Sequence, residues 1–97
     1  MLHPQNIEQL EGYFREEKIF DMLGINRIGV FGSFARAEAF NDIDLLIDED
    51  IPAEILIRFQ NKLSKDIHTP VDIVISKFAE PIILLRAKKD IKYARKQ

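Results

Sequence analysis

Aspartate, glycine and serine stand in this chain at positions where they could support metal and phosphate chemistry. Asp42 and Asp44 flank a single residue at the start of one apolar run, and Asp72 opens a later apolar run. Gly32 and Ser33 end an earlier run, where glycine lets a phosphate approach the backbone closely and serine adds a hydroxyl donor. Carboxylate oxygens in a chain without cysteine favour Mg²⁺ or Mn²⁺ over zinc. These residue types together suggest a site for a divalent cation and a phosphorylated substrate.

Each of these signals also has an ordinary structural interpretation. An isolated Asp-x-Asp at the start of a strand is most often a solvated strand end, and an isolated Gly-Ser pair is weaker still. The functional interpretation therefore depends on the fold bringing these residues together. Arg36, one helical turn beyond the glycine–serine pair, could then balance the charge of a bound phosphate.

Hydrophobic periodicity predicts helices and strands in a single domain over residues 1–97. The predicted elements are, in chain order, a helix over 6–23 that can be interrupted near Glu17, a strand over 25–31, one or two helical turns over 34–39, a strand over 43–48, a helix from 50 or 51, a strand over 71–75 and a helix from 80–81 to about 88. In the last helix, Ile82, Leu85 and Ile91 are expected to face inward. The predicted fold class is α/β (α+β), a small mixed sheet flanked by helices.

The lengths of the connections predict where the candidate residues meet. Only eight residues, 34–41, separate the glycine–serine pair from the first aspartate, and a parallel crossover needs at least about 10–12. The first two strands should therefore be antiparallel, which brings the glycine–serine pair beside Asp42 and Asp44. The 22 residues of 49–70 are enough for a helical crossover, so the second and third strands can be parallel. Asp72 then joins the group at the same edge of the sheet.

Electrostatics indicate what such a cluster requires. Side chains alternate along a strand, so Asp42 and Asp44 share a face with their carboxylates about 6–7 Å apart. Two like charges at ~6 Å repel by about 3 kcal/mol at an effective dielectric constant of ~20. Three carboxylates on a partly buried face would therefore need a cation, or protons, to neutralise them.

Composition narrows the classes of function. The net charge of −2 argues against general nucleic-acid binding, and no apolar run approaches the about 20 residues of a membrane helix. The absence of cysteine suggests a reducing, cytoplasmic location. Residues 86–97 carry six basic side chains against one acid, Asp90. We interpret this run as a solvated basic tail, with a docking surface for an acidic partner as the alternative.

Three segments closely resemble the motifs of the minimal nucleotidyltransferases in the DNA polymerase β-like nucleotidyltransferase superfamily. These segments are Val30–Arg36, Asp42–Ile47 and Val71–Val74. The resemblance extends from about residue 25 to the last helix. It implies a nucleotidyltransferase fold and Mg²⁺-dependent transfer of AMP from ATP to a hydroxyl acceptor.

The resemblance also implies a role for each site residue. Asp42 and Asp44 would bind both ions of a two-metal site, with Mg²⁺ or Mn²⁺ as the ions. Asp72 would complete the part of that site that activates the acceptor hydroxyl. Gly32 and Ser33 would hold the triphosphate, so these two residues and Arg36 are the predicted nucleotide-binding residues.

A partner protein follows from the same resemblance. The acceptor would be a tyrosine of a HEPN-domain toxin, with this chain as its antitoxin, in a homo- or hetero-oligomer. The chain departs from the family pattern at Ala37, where glycine is common, and at Asn41, where serine is usual in a longer stretch. Two alternatives stay open: a binding module that neutralises its partner by occlusion, and a catalytic subunit for a small-molecule acceptor.

Overall fold

Five helices and four strands form in the computed structural model, which describes residues 2–97. The helices are α1 (Ile7–Glu16), α2 (Ile19–Leu23), α3 (Gly32–Ala35), α4 (Ala53–Asp66) and α5 (Pro81–Asp90), with a single 3₁₀ turn at Ser76–Phe78. The strands are β1 (Arg27–Phe31), β2 (Ile43–Ile47), β3 (Val71–Ile75) and β4 (Lys92–Arg95). None of the helices in this part of the chain is long and apolar enough to cross a membrane.

The strands form one mixed sheet in the order β3-β2-β1-β4. β1 is antiparallel to β2, and β2 is parallel to β3. Both directions confirm the predictions made from the connection lengths, and the mixed sheet with flanking helices confirms the predicted fold class. β4 was not predicted; it pairs antiparallel with the free side of β1.

The core lies on one face of the sheet. Alternation along β1 and β2 sends Ile28, Val30, Ile43 and Leu45 to this face, where each is almost fully buried. Helices α1, α2 and α4 cover it with an apolar stripe each, comprising Leu10, Phe14, Ile19, Phe20, Phe59 and Leu63. The side chains of Asp44 and its strand-register partner in β3 therefore project from the opposite face.

The first predicted helix is interrupted where the sequence indicated. α1 ends at Glu16, Glu17 caps it, and Lys18 adopts a left-handed conformation with φ of 55° before α2 begins. Gly24, with φ of 71°, ends α2 as a glycine C-cap.

The last helix required the largest correction. α5 extends to Asp90, and Ile82 and Leu85, which were expected to face inward, are 50% and 58% exposed. Ile91 does face inward, as predicted, and the inward side of α5 is completed by Leu84 and Ala87 in place of Ile82 and Leu85, at a spacing of three and four residues. This rotation follows from β4, because the chain must leave α5 with Ile91 packed on Gly29 of β1; a Cβ at Gly29 would lie 2.6 Å from Ile91 Cδ1.

The predicted turns after β1 also begin and end earlier than expected. α3 starts at Gly32 rather than at residue 34 and ends at Ala35 rather than at residue 39. Ala37 has φ of 59°, a left-handed conformation that cannot continue a helix. The Phe40 ring then packs edge-on against Phe34, with 4.8 Å between ring centroids, so the short segment to β2 is anchored to the core.

Candidate active site

The three aspartates converge because of how β2 and β3 pair. Asp44 and Asp72 are direct register partners in these parallel strands, and Asp42 precedes Asp44 by two residues on the same side. Each aspartate offers one carboxylate oxygen, and these three oxygens lie within 4.8 Å of one another. Asp42 and Asp44 are half-buried and Asp72 is exposed. The structure thus brings together the three carboxylates that the sequence singled out.

Gly32 brings the backbone of the β1–α3 turn against this cluster. Phe31 is the register partner of Asp44, so the residue that follows it lies at the same edge of the sheet. Gly32 has φ of +77°, and a Cβ at this position would lie 2.5 Å from Asp44 Oδ2. Only glycine gives this combination of left-handed backbone and close approach to the carboxylate. Ser33 follows in the first turn of α3 and is half-buried.

The carboxylate cluster is electrostatically uncompensated. Burial, followed by the charges of Asp42 and Asp72, raises the pKa of Asp44 to about 6. Within residues 2–97, none of the three carboxylates has a hydrogen-bond donor or a cationic side chain as partner. Three convergent oxygen donors with no internal counter-charge are suited to a hard divalent cation.

Arg36 lies close to the turn but is already paired. Its Nε binds Glu38 at 3.0 Å, and its Nη1 binds Asp90 at the end of α5 at 2.6 Å. Hydrogen bonds to these two carboxylates raise the pKa of Arg36 further above its usual value. Binding of a phosphate by Arg36, as the sequence suggested, stays a prediction. Asp90 was not singled out for this site, because no local pattern signals an ion pair between residues 54 positions apart.

Comparison with known proteins gives a family match and solved structures of similar fold. The family model described as "Polymerase beta, Nucleotidyltransferase" matches residues 8–92. A search of curated proteins finds no match to the chain. Two of the similar structures are crystal structures of mutants of the toxin-antitoxin MntA-HpeT.

The structural likeness is moderate and extends over most of both chains. The first structure has a TM-score of 0.60 and 22% identity, covering 80% of this chain and 69% of the other. The second has a TM-score of 0.59 and 20% identity, covering 84% and 73%. At these identities the likeness establishes a shared fold, in agreement with the mixed sheet and its flanking helices.

Proposed function

Because this chain belongs to the polymerase β nucleotidyltransferase family, we propose that it transfers AMP from ATP to a hydroxyl group of a partner protein. The observation that carries the proposal is the group of three uncompensated carboxylates within 4.8 Å, with the Gly32 backbone against one of them. We also propose that residues 1–97 act as one domain in the cytoplasm, a compartment that suits a chain without cysteine.

The three carboxylates could together hold a divalent cation, and we propose a pair of such ions. Asp42 and Asp44 would each bind both ions, and Asp72 would bind the one nearer the acceptor. Two Mg²⁺ ions, or Mn²⁺ in their place, would supply charge neutralisation at the triphosphate and a lower pKa for the attacking hydroxyl. The raised pKa of Asp44 supports this role, since a bound cation would stabilise the charged carboxylate against both its burial and the charges of Asp42 and Asp72.

The remaining residues of the site would position ATP. Without a Cβ at Gly32, the triphosphate can lie against the backbone of the turn, and the Ser33 hydroxyl can donate to a phosphate oxygen. The acceptor oxygen attacks the α-phosphorus, the bond from that phosphorus to the β-phosphate oxygen breaks, and pyrophosphate leaves. Asp72 is the most exposed of the three carboxylates; its main role would be to bind the metal ion, and taking the hydroxyl proton would be a secondary one. Arg36 would reach a phosphate by exchanging Glu38 or Asp90 for it.

We propose a HEPN-domain toxin as the partner and a tyrosine of that toxin as the acceptor, which makes this chain an antitoxin. Support comes from the motif resemblance and from the fold shared with the toxin-antitoxin MntA-HpeT. A minimal nucleotidyltransferase would modify this tyrosine and thereby inactivate the toxin.

Isotopic labelling tests the reaction and its acceptor. The chain is incubated with Mg²⁺, a purified HEPN-domain protein, and ATP labelled on either the α- or the γ-phosphate. We expect label to enter the partner from α-labelled ATP only, and mass spectrometry to find AMP on a tyrosine. The combined Asp42→Asn and Asp44→Asn variant should transfer no label. The Glu49→Gln and Asp50→Asn variant, with the same charge change just beyond β2, should transfer label normally. Equal transfer by both double variants would disprove the assignment of the site.

Neutralisation by occlusion is the second candidate function. The observation that favours it is the exposure of Ile82 and Leu85 on α5, which offers apolar contact area that includes none of the three aspartates. Under this alternative, the Asp42→Asn and Asp44→Asn variant would still protect cells from the toxin. Loss of protection in that variant, with binding retained, would instead support neutralisation by AMP transfer.

A further inference from the structure

Large apolar side chains are exposed mainly in one short segment of the protein. Among residues 2–97, five such side chains are exposed, and four of them fall within residues 78–85. Their exposed fractions are 78% for Phe78, 50% for Ile82, 39% for Ile83 and 58% for Leu85. The fifth, Ile57, lies on α4. Four exposed apolar side chains within eight residues indicate an interaction surface rather than the scattered exposure of single side chains.

The outward face of α5 combines these apolar side chains with positive charge. Ile82 and Leu85 are three residues apart, and Arg86 and Lys89 continue the same face in the next turn. The opposite face is the one that packs on the sheet through Ala87. The outward face is therefore apolar at its start and basic at its end. We call Phe78, Ile82, Leu85, Arg86 and Lys89 the α5 surface.

The cations of this segment have no internal partners. Arg86, Lys88, Lys89 and Lys92 make no ion pair within the part of the chain that the structure describes, although Arg15, Arg27, Arg36, Lys62, Lys77 and Lys96 do. The one acid of α5, Asp90, is bound to Arg36 at 2.6 Å. The α5 surface thus offers an apolar patch next to uncompensated positive charge.

We propose that the α5 surface docks an amphipathic helix of the partner protein whose apolar stripe is flanked by glutamate or aspartate. The exposed face of one helix packs readily against the ridges and grooves of another helix, and the unpaired cations favour acids opposite them. Charge complementarity of this kind sets the register and speeds association.

The same charges argue against two other occupants. A two-fold dimer formed through this surface would place no acid opposite Arg86 and Lys89, because the surface itself contains none. An anionic bilayer would attract these cations, but the acidic run 48–50 lies at the start of the segment, where Lys77 Nζ contacts Asp50 at 3.4 Å. That run would be repelled by anionic headgroups.

Docking at the α5 surface would also affect the proposed AMP transfer. This one step of the inference rests on the proposed function. Asp90 ends α5 and binds Arg36, the residue that caps α3 at its C-terminus. From Leu85 to Asp90 the helix rises by roughly 8 Å, at 1.5 Å per residue. A helix docked along α5 would therefore hold its protein beside the nucleotide turn.

An NMR titration with defined peptides tests the docking without any transfer reaction. The ¹⁵N-labelled chain is titrated with a helical peptide that has a leucine stripe flanked by glutamates, and separately with the same peptide carrying lysines instead. We expect the glutamate peptide to shift amides of residues 78–92 and the lysine peptide to shift none of them. Equal shifts from both peptides, no shifts from either, or shifts confined to α1 and α4 would overturn the proposal.

Matched variants extend the test to a HEPN-domain protein, the class of partner proposed above. Ile82→Gln with Leu85→Gln should weaken its binding about tenfold or more, whereas Ile57→Gln, an equally exposed apolar change on α4, should not. Arg86→Glu with Lys89→Glu should also weaken binding and reduce its salt dependence, whereas Arg58→Glu with Lys65→Glu, the same charge change on α4, should do neither. Helix-compatible exchanges at exposed positions leave the fold intact, which circular dichroism checks.

The remaining outcomes identify another occupant or separate this inference from the proposed function. Dimerisation of the chain alone that the Ile82→Gln and Leu85→Gln variant abolishes, or binding to phosphatidylserine vesicles lost in that variant, would overturn the proposal. The Asp42→Asn and Asp44→Asn variant should dock normally. Docking through α5 without any transfer of label would leave this inference intact and disprove the proposed function. AMP transfer that does not respond to the α5 variants would leave the proposed function intact and disprove this inference.

Discussion

The two ends of β2 carry carboxylates on the same side of the sheet, but their surroundings are opposite. Asp48, just beyond β2, accepts hydrogen bonds from Ser76 Oγ at 2.9 Å and the Tyr93 hydroxyl at 3.3 Å, and it pairs with Arg27 at 3.5 Å. Asp44 lies four residues earlier, roughly 13 Å along the strand. The charged groups that act on it are two further aspartates, Asp42 and Asp72.

This difference separates a carboxylate that supports the fold from one that burdens it. Arg27 also stacks on the Tyr93 ring, with its guanidinium carbon 4.0 Å from the ring centroid, so the Asp48 end is a closed set of mutual contacts. The Asp44 end lacks the matching cations, and folding alone gives no reason to place three acids there. The proposed metal ions would supply the charge that Arg27 supplies at the other end.

The rate of AMP transfer should distinguish the Asp44 end of β2 from the Asp48 end most strongly. Asp44→Asn should lower AMP transfer by about a thousandfold or more, because the loss of a metal ligand removes several kcal/mol of transition-state stabilisation. Asp48→Asn should leave transfer within about threefold, since it lies roughly 13 Å from the cluster. Initial rates with α-labelled ATP measure both. Comparable losses in the two variants would remove the distinction on which the site assignment depends.

Substitution of Gly32, whose backbone lies against the carboxylate cluster, should also have a large effect, in this case on the free energy of unfolding. Gly32→Ala should cost roughly 2 kcal/mol of unfolding free energy, because alanine is strained at φ of +77° and its Cβ meets Asp44 Oδ2. Gly24→Ala is the control, since φ is +71° but no atom lies within 4 Å of the added Cβ, and about 1 kcal/mol is expected. Urea unfolding measures both values. A cost at Gly32 no larger than at Gly24 would show that contact with Asp44 does not matter.

Much of this site could be predicted from the sequence because it depends on short-range rules. The segment before Asp42 was too short for a parallel crossover, and strand alternation put Asp42 and Asp44 on one side. Two strand directions and three acids followed from these rules. Ala37 illustrates a local rule that this chain does not follow. It stands where the resembling family commonly has glycine, and its φ of 59° is a conformation that glycine adopts without strain.

Other features depend on long-range packing and had no local signal. Ile82 and Leu85 have the spacing of a buried stripe, yet the pairing of β4 with β1 turns that side of α5 outward. The residues of β4 are mostly charged or small, so their sequence did not indicate a strand. The ion pair of Arg36 with Asp90 likewise joins segments that meet only after α5 has crossed the sheet.

In the absence of metal, substitutions at Asp44 and Asp48 should change the free energy of unfolding in opposite directions. Asp44→Asn should stabilise the metal-free protein at neutral pH by roughly 1–2 kcal/mol, after allowance for solvent screening, because it removes a desolvated charge between two others. Asp48→Asn should destabilise it by about 0.5–1 kcal/mol through the weakened pairing with Arg27. Thermal unfolding in EDTA measures both. Added Mg²⁺ should raise the unfolding temperature of the wild type and not that of Asp44→Asn.

The pH dependence of stability gives the smallest effect and the most specific one. Asp44 has a pKa of about 6 in the folded protein against 3.8 as its ordinary value, so between these values the folded state holds more proton than the unfolded state. The stability of the metal-free protein should therefore fall as pH rises from about 4 to about 6, by roughly 0.5 kcal/mol per pH unit after screening.

Other acids contribute slopes of their own, so the quantity to measure is the difference between wild type and Asp44→Asn in urea unfolding at several pH values. This difference should grow across that range and level off above it. A flat difference for Asp44→Asn would mean that the cluster is already neutralised within the protein, and the need for a cation at this end of β2 would disappear.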